Sequence, residues 1–320
     1  MVATMATTTT TMPESGRELH GLLLVDKPAG MTSAAVVARV KRVLAQRKVG
    51  HLGTLDPFAT GLLPICLGEG TKIAPFLAEN EKRYVGDIAL GTTTDTLDLT
   101  GAVLETRPVP RLSTRDIETA VARLRGDILQ TPPMYSALKR EGVPLYRLAR
   151  AGRTIERAPR PVRIAQFDVA MVAPDRLRFA VTCSKGTYVR VLAQDLGFAL
   201  GPGAHLATLR RTASGPFDIA AAVPLYDVER VAAEGRLPLM TPSAALAGLR
   251  AVVADERTIG SIRRGQQHAL VALGPPRSAG EVVRVANSGG DLVAIASAAD
   301  GATWQLARVW TEGAALGGAT

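Results

Sequence analysis

In residues 175–184 (DRLRFAVTCS) apolar side chains recur at every second position, with Leu177, Phe179, Val181 and Cys183 on one side. A clean period of two over that length specifies a half-buried strand. Glu18–Val25 and Tyr84–Leu90 read as two further strands. Helical spacing appears between them. After the turn Asp26–Gly30, Thr32 or Ser33 caps a helix whose buried stripe is Val36, Val37, Val40, Val43 and Leu44. Arg39, Lys41, Arg42, Gln46, Arg47 and Lys48 fill its other positions. Ser113 with Asp116 forms a capping box ahead of Ile117, Val121 and Leu124, with Gly126 as the stop. A third helix starts at Tyr188 and ends near Gly197. Strands and helices mix without a strict βαβ rhythm, so the expected class is α+β with a largely antiparallel sheet. Residues 224–246, with Pro238 and Pro242, read as a connection. Beyond it lie short strands at Arg250–Ala254, Glu281–Ala286, Leu292–Ala296 and Gln305–Trp310, the pattern of a small β-barrel-like domain. The expected division is a large domain over 18–240, a small one over 247–312, and tails at 1–17 and 313–320. The first tail, with its threonine run, reads as disordered.

The charge balance narrows the partners. There are 38 Lys and Arg against 29 Asp and Glu, a net charge of +9. Such a balance in a well-mixed chain favours a polyanionic partner. The excess is concentrated before residue 241, and residues 139–163 alone hold eight Lys or Arg against two Glu. Two cysteines, Cys66 and Cys183, cannot make a disulfide framework. Four histidines at 20, 51, 205 and 268 show no metal-ligand spacing, so no metal is expected. No apolar run reaches membrane-spanning length and no secretory h-region opens the chain. The expected location is the cytoplasm.

Four stretches could carry chemistry. In Gly50–Gly61 (GHLGTLDPFATG), Pro57 pushes Asp56 out of the α region and holds its carboxylate on an extended backbone. His51 lies five residues earlier, in a loop that reads as too glycine-rich for the core. In Ser184–Arg190 (SKGTYVR), Tyr188 and Arg190 sit at a strand-to-helix junction and can share a cleft. Lys82-Arg83-Tyr84 starts a strand with a tyrosine after two cations. Met134–Ala137 leads into the basic run, where Tyr135 and Tyr146 can stack on bases while cations neutralise phosphates. Each also has an ordinary structural explanation: a turn, a packed aromatic or a solvated cation.

Taken together and in order, these motifs are similar to those of the TruB family of tRNA pseudouridine synthases. The carrying segments are GHLGTLDPFATG at 50–61, KRY at 82–84, Pro132–Lys139, SKGTYVR at 184–190 and Leu209-Arg210-Arg211. The region 249–310 resembles a PUA domain through Arg264-Gly265-Gln266 and the strand Leu292–Ile295. The resemblance implies isomerisation of uridine-55 in the tRNA T-loop, after base flipping and without any cofactor. It implies Asp56 as nucleophile, paired with Arg190. Tyr84 would stack on the flipped base and help remove the C5 proton. Tyr188 and Leu209 would bind the substrate, as would Asp98. His51 would fill the space left by the uridine, and Lys27 would contact tRNA backbone along with the segment 130–163. Leu52 departs from the family's usual Thr and bears on the role of His51. The resemblance also implies a monomer that needs no protein partner and binds no membrane. A second reading is a tRNA-folding, RNA-binding factor whose isomerase activity is secondary. A third is a guide-RNA-directed synthase of the same superfamily.

Overall fold

The segment Gly21–Val25 is apolar at odd and even positions alike, and the strand it forms is buried on both faces. Leu23 and Val25 enter one core, Leu22 and Leu24 another. A continuous apolar run is what a strand with two covered faces requires. This strand, β1 (Gly21–Lys27), lies inside a twelve-stranded sheet. The structure, a computed structural model, describes residues 9–10, 18–78 and 80–310. Apart from residues 9–10, the expected tails at 1–17 and 313–320 lie outside the described residues.

The other elements that position the site follow in chain order. They are α1 (Ser33–Val43), β2 (Val49–His51), β3 (Thr60–Leu67), β4 (Lys82–Leu90), α2 (Thr114–Ala122) and β5 (Gly126–Gln130). Then come β6 (Arg160–Ala173), β7 (Arg176–Cys183), α3 (Val189–Leu200), β8 (Ala204–Ser214) and β9 (Leu237–Met240). The path across the sheet is β9–β1–β3–β8–β4–β7–β6–β5, with Thr9–Thr10 beyond β9. All of these neighbours pair antiparallel except β3 with β8, which meet in parallel at Thr60–Gly61 and Arg210–Arg211. The fold is therefore α+β with a mixed, largely antiparallel sheet.

α1 starts where Thr32 caps the backbone N–H of Ala35, and Val36 and Val40 are its deepest residues. Gln46 is buried rather than part of the cationic face; it bonds the Leu19 N–H and the Leu44 carbonyl. The Ser113–Asp116 capping box is present. Its helix ends at Ala122, and Gly126 opens β5 at φ 83° instead of stopping the helix. α3 runs past Gly197 to Leu200. A Cβ at Gly197 would lie 2.4 Å from the Ala204 Cβ, so this glycine lets β8 approach the helix; Gly201, at φ 106°, ends it. Residues 224–246 are more than a connection, because β9 joins the sheet beside β1.

The C-terminal unit is a small sheet of four strands, β10 (Arg250–Val253), β11 (Glu281–Ala286), β12 (Leu292–Ala298) and β13 (Gln305–Val309), in that order. A helix at Glu256–Arg263, absent from the sequence reading, packs on it through Ile259 and Ile262. Leu292, Ile295 and Trp310 share one core with Leu22, Leu62 and Phe217 of the large sheet. Lys72 adds a polar tie, donating to the Val309 carbonyl at 2.9 Å and lying 5.6 Å from the Trp310 ring centroid. Among the described residues no helix is long and apolar enough to cross a membrane.

Candidate active site

The loop between β2 and β3 carries Asp56, and neighbouring elements fix its backbone at several points. Ser33, at the start of α1, accepts from the Leu55 N–H at 2.8 Å and donates to the Leu55 carbonyl at 3.1 Å. Gly30 donates to the Pro57 carbonyl, and Ala59 closes a turn onto Asp56. Leu55 and Ala59 are buried in the main core. The loop is thus partly core despite its glycines. Gly53 and Gly61 do take positive φ, and a Cβ at Gly61 would lie 2.3 Å from the Arg211 carbonyl oxygen. Gly50 needs no such freedom.

Arg190 enters from the first turn of α3 and is 3% exposed. Its Nε donates to Asp56 Oδ2 at 2.9 Å and one Nη to Asp56 Oδ1 at 3.2 Å, a bidentate ion pair. Its remaining bonds go to the Thr96 carbonyl at 2.7 Å and the Tyr135 carbonyl at 2.8 Å. A guanidinium tied at four points has no rotational freedom left, so it orients the carboxylate as well as neutralising it. Asp98 is buried as well, with Oδ2 at 3.8 Å from Arg190. Its Oδ1 accepts from Thr96 Oγ1, the Thr100 N–H and Thr100 Oγ1. Two carboxylates therefore face one guanidinium. Burial pushes the Asp56 carboxyl above the usual carboxylate range, and Asp98 adds to the shift, while Arg190 and Lys27 oppose it.

Tyr84 sits on β4 between Val181 and Arg211 on its two neighbouring strands, and burial raises its phenol above the ordinary value. Tyr188 caps α3 with a half-buried ring, its phenol also raised by burial. Its backbone is clamped by Gln130, which accepts from the Tyr188 N–H at 3.0 Å. Leu209 lines a groove of about 1050 Å³ together with Pro57, Phe58, Leu99 and Gly86. Pro57 and Leu99, the residues after Asp56 and Asp98, line this groove, whereas Asp56, Tyr84, Tyr188 and Arg190 do not.

His51 is half-buried at the end of β2, and its Nδ1 has no hydrogen-bond partner among the described residues. Burial, helped by the nearby Arg211 charge, lowers its pKa, so the ring is neutral near pH 7. Leu52 points the other way, into the second core with Leu22, Leu62 and Phe217, and its N–H bonds the Pro64 carbonyl. The departure at Leu52 is thus a core substitution, not a lost hydrogen bond beside His51.

Lys27 requires a correction. A surface lysine touching RNA backbone was expected, but the side chain is fully buried. Its Nζ donates to the Pro28 and Pro57 carbonyls at 2.8 and 3.2 Å, bracing the Asp56 loop from beneath. Burial lowers its pKa to about 8, against the pull of Asp56. Two further participants, Thr96 and Gln130, escaped the sequence reading, and Tyr135, expected to stack on bases, meets Arg190 through its carbonyl. Backbone acceptors leave no compositional mark. Gln130 ends a strand at a buried position, which is the one signal available. Tyr135 itself is tied to Asp95 through its hydroxyl at 3.1 Å. Among the described residues no cluster of His, Cys, Asp or Glu could hold a metal ion.

The basic run follows directly. Lys139, Arg140, Arg147, Arg150, Arg153, Arg160 and Arg163 are all exposed. Arg150 lies 5.7 Å from the Tyr146 ring centroid.

Comparison with known proteins completes the picture. Residues 41–189 match the family model of the TruB family pseudouridylate synthase N-terminal domain, and 190–250 that of the tRNA pseudouridylate synthase B C-terminal domain. A tRNA pseudouridine synthase B of Aromatoleum aromaticum is 47% identical over 274 residues, covering 85% of this chain and 87% of its own. The chain belongs to the TruB family. The tRNA pseudouridine synthase B of Stutzerimonas stutzeri is 51% identical over 219 residues, covering 68% of this chain and 72% of the relative. Among solved structures, a chain in the crystal structure of a Cbf5–Nop10–Gar1 complex superposes with a TM-score of 0.72 at 25% identity, covering 94% and 91% of the two chains. The border between the two family models falls between Val189 and Arg190, inside the first turn of α3. Asp56 and Tyr84 thus come from one model, and Arg190 and Leu209 from the other. The C-terminal four-stranded sheet lies almost entirely beyond both.

Proposed function

We propose that this protein converts uridine-55 in the T-loop of tRNA to pseudouridine, with Asp56 as the nucleophile. The observation that carries the reading is the bidentate Asp56–Arg190 pair, in a chain of the TruB family. Its relatives bear the name tRNA pseudouridine synthase B. The reaction breaks the N-glycosidic bond, turns the uracil and rejoins it through C5. A covalent link to the enzyme splits that change into easier steps. Asp56 attacks the ribose C1′ or the base C6. Either route needs an ionised oxygen held in one direction, which four-point fixation of Arg190 supports.

The target is flipped out of the T-loop before attack. Tyr84 stacks on the uracil, Tyr188 bonds within the pocket and Leu209 forms its wall. Tyr84 helps to remove the C5 proton; because burial keeps its phenol protonated at neutral pH, it takes that proton only as it gives up its own hydroxyl proton. A neutral His51 fills the vacated position in the loop without bringing an unpaired charge into it. Asp98 acts on the site through Arg190, since its other oxygen is committed to Thr96 and Thr100. The exposed cations of 139–163 bind the T-arm phosphates. The C-terminal sheet, which resembles a PUA domain in sequence, extends the RNA contact. The enzyme is cytoplasmic and monomeric and needs no cofactor or protein partner.

The test is tritium release from a T-arm stem-loop labelled with [5-³H]uridine, using the purified protein alone. Release mapped to the T-loop uridine is the expected result. Tight binding without release would overturn the reading.

A further inference from the structure

Arg211 is 1% exposed, and among the described residues no carboxylate lies within ion-pair distance of it. A buried cation without an acid is costly, and such a group persists where its donors are all directed to fixed acceptors. Its Nε donates to the Leu62 carbonyl at 2.7 Å and one Nη to the Gly53 carbonyl at 3.0 Å. The first acceptor is on β3, the second on the loop between His51 and Asp56. Gly53 takes φ 75°, and a Cβ there would lie 3.3 Å from the other Nη. Glycine at that position keeps the guanidinium's place clear.

Arg211 also lies directly opposite Tyr84 in the antiparallel pairing of β8 with β4. Side chains at opposed positions project on the same face about 5 Å apart at Cβ. Both are buried, and the Arg211 charge opposes the burial that raises the Tyr84 phenol. The neighbouring Arg210 faces outward and pairs with Asp26 at 2.7 Å. Two consecutive arginines thus have unrelated tasks, and the inner one is aimed at the site.

We propose that Arg211 is a positioning residue for the reaction: fixed by the Gly53 and Leu62 carbonyls, it donates to the Tyr84 oxygen and sets the direction of the phenol's own proton and remaining lone pair. The proposal rests on the reading of Tyr84 as a residue on the target uridine. With one lone pair occupied by Arg211, the Tyr84 O–H is left one in-plane direction instead of two. A lysine at 211 keeps the charge but has no planar fork to serve three acceptors on different elements.

The test is a double-mutant cycle on a T-arm stem-loop, read as single-turnover rate at saturating protein together with Kd. Arg211→Lys is expected to slow turnover at least tenfold while Kd moves less than threefold. Tyr84→Phe combined with Arg211→Lys is expected to be no slower than the slower single variant, within twofold. Rates that multiply, an unchanged rate in Arg211→Lys, or a loss explained by Kd would each overturn the proposal. Inactivity of the wild-type protein on the same RNA would instead remove the underlying reading of the function. Should Arg211→Lys lose the wild-type melting transition, Tyr84→Phe alone decides. The guanidinium proton resonances of Arg211 then shift and exchange faster in that variant, and unaltered resonances overturn the proposal.

Discussion

The Asp56 cleft and the segment 139–163 use the same cationic side chains in opposite ways. Lys27, Arg190 and Arg211 are buried to 3% exposure or less, each with donors committed to named carbonyls or to a carboxylate. Arg147, Arg150, Arg153, Arg160 and Arg163 stand in solvent. Buried cations cannot reach a phosphate, and cations standing in solvent hold a carboxylate only weakly against water. The first arrangement suits chemistry at one atom, the second suits long-range attraction to a polyanion. Affinity and turnover are therefore expected to separate between the two regions.

The sharpest break in that comparison is Asp56→Asn. It removes the attacking charge and little volume. Turnover is expected to fall below detection in single-turnover assays while T-arm affinity stays within about threefold, since the exposed cations are untouched. A variant that still makes pseudouridine would end the nucleophile assignment. Second in size is neutralisation of the run. Changing Arg147, Arg150 and Arg153 to Gln is expected to weaken Kd by about 10- to 100-fold and to flatten its salt dependence, with the saturated rate preserved. Filter binding at several salt concentrations checks it.

Lys27→Met probes the buried side of the comparison through stability. The folded pKa of Lys27 is lowered to about 8 from 10.5, so below pH 8 its burial in charged form costs stability. That cost is relieved as pH rises from about 8 toward 10.5, because the unfolded chain then binds more protons than the folded one. Wild type is expected to gain roughly 1–2 kcal/mol on Lys27→Met between about pH 7.5 and 9.5, read by urea denaturation. A difference that stays flat with pH would mean the amine is solvated. The smallest effect on turnover is expected from Leu52→Thr. Its side chain lies in the core shared with the C-terminal sheet, so turnover should stay within about twofold while stability drops by about 1–3 kcal/mol, seen as a lower melting temperature. A large loss of rate with normal melting would put Leu52 back beside His51.

How much of this was legible in the sequence depended on whether a residue's task left a pattern. Alternation placed β7 and its inward face, and the capping box at Ser113 placed the start of α2. Asp56, Arg190, Tyr84 and Tyr188 stood in motifs whose order carried the family resemblance. Lys27 was misread because a lysine after a strand normally marks the surface, and only tertiary packing buries it. Arg211 was within reach, since Leu209, Arg211 and Ala213 alternate as buried positions along β8. Gly197 looked like a helix stop because close approach of a second element cannot be read locally. The carbonyls of Thr96 and Tyr135 are invisible to any reading of side chains.

The most direct test of the separation is to follow Kd and the single-turnover rate at saturating protein on the same T-arm, across about 50 to 400 mM salt. Affinity is expected to fall steeply while the saturated rate stays constant, because Arg190 is buried and tied at four points and is not loosened by the ions that compete with the exposed run. A saturated rate that falls in step with affinity would contradict it, and would mean that the exposed cations take part in the chemistry itself.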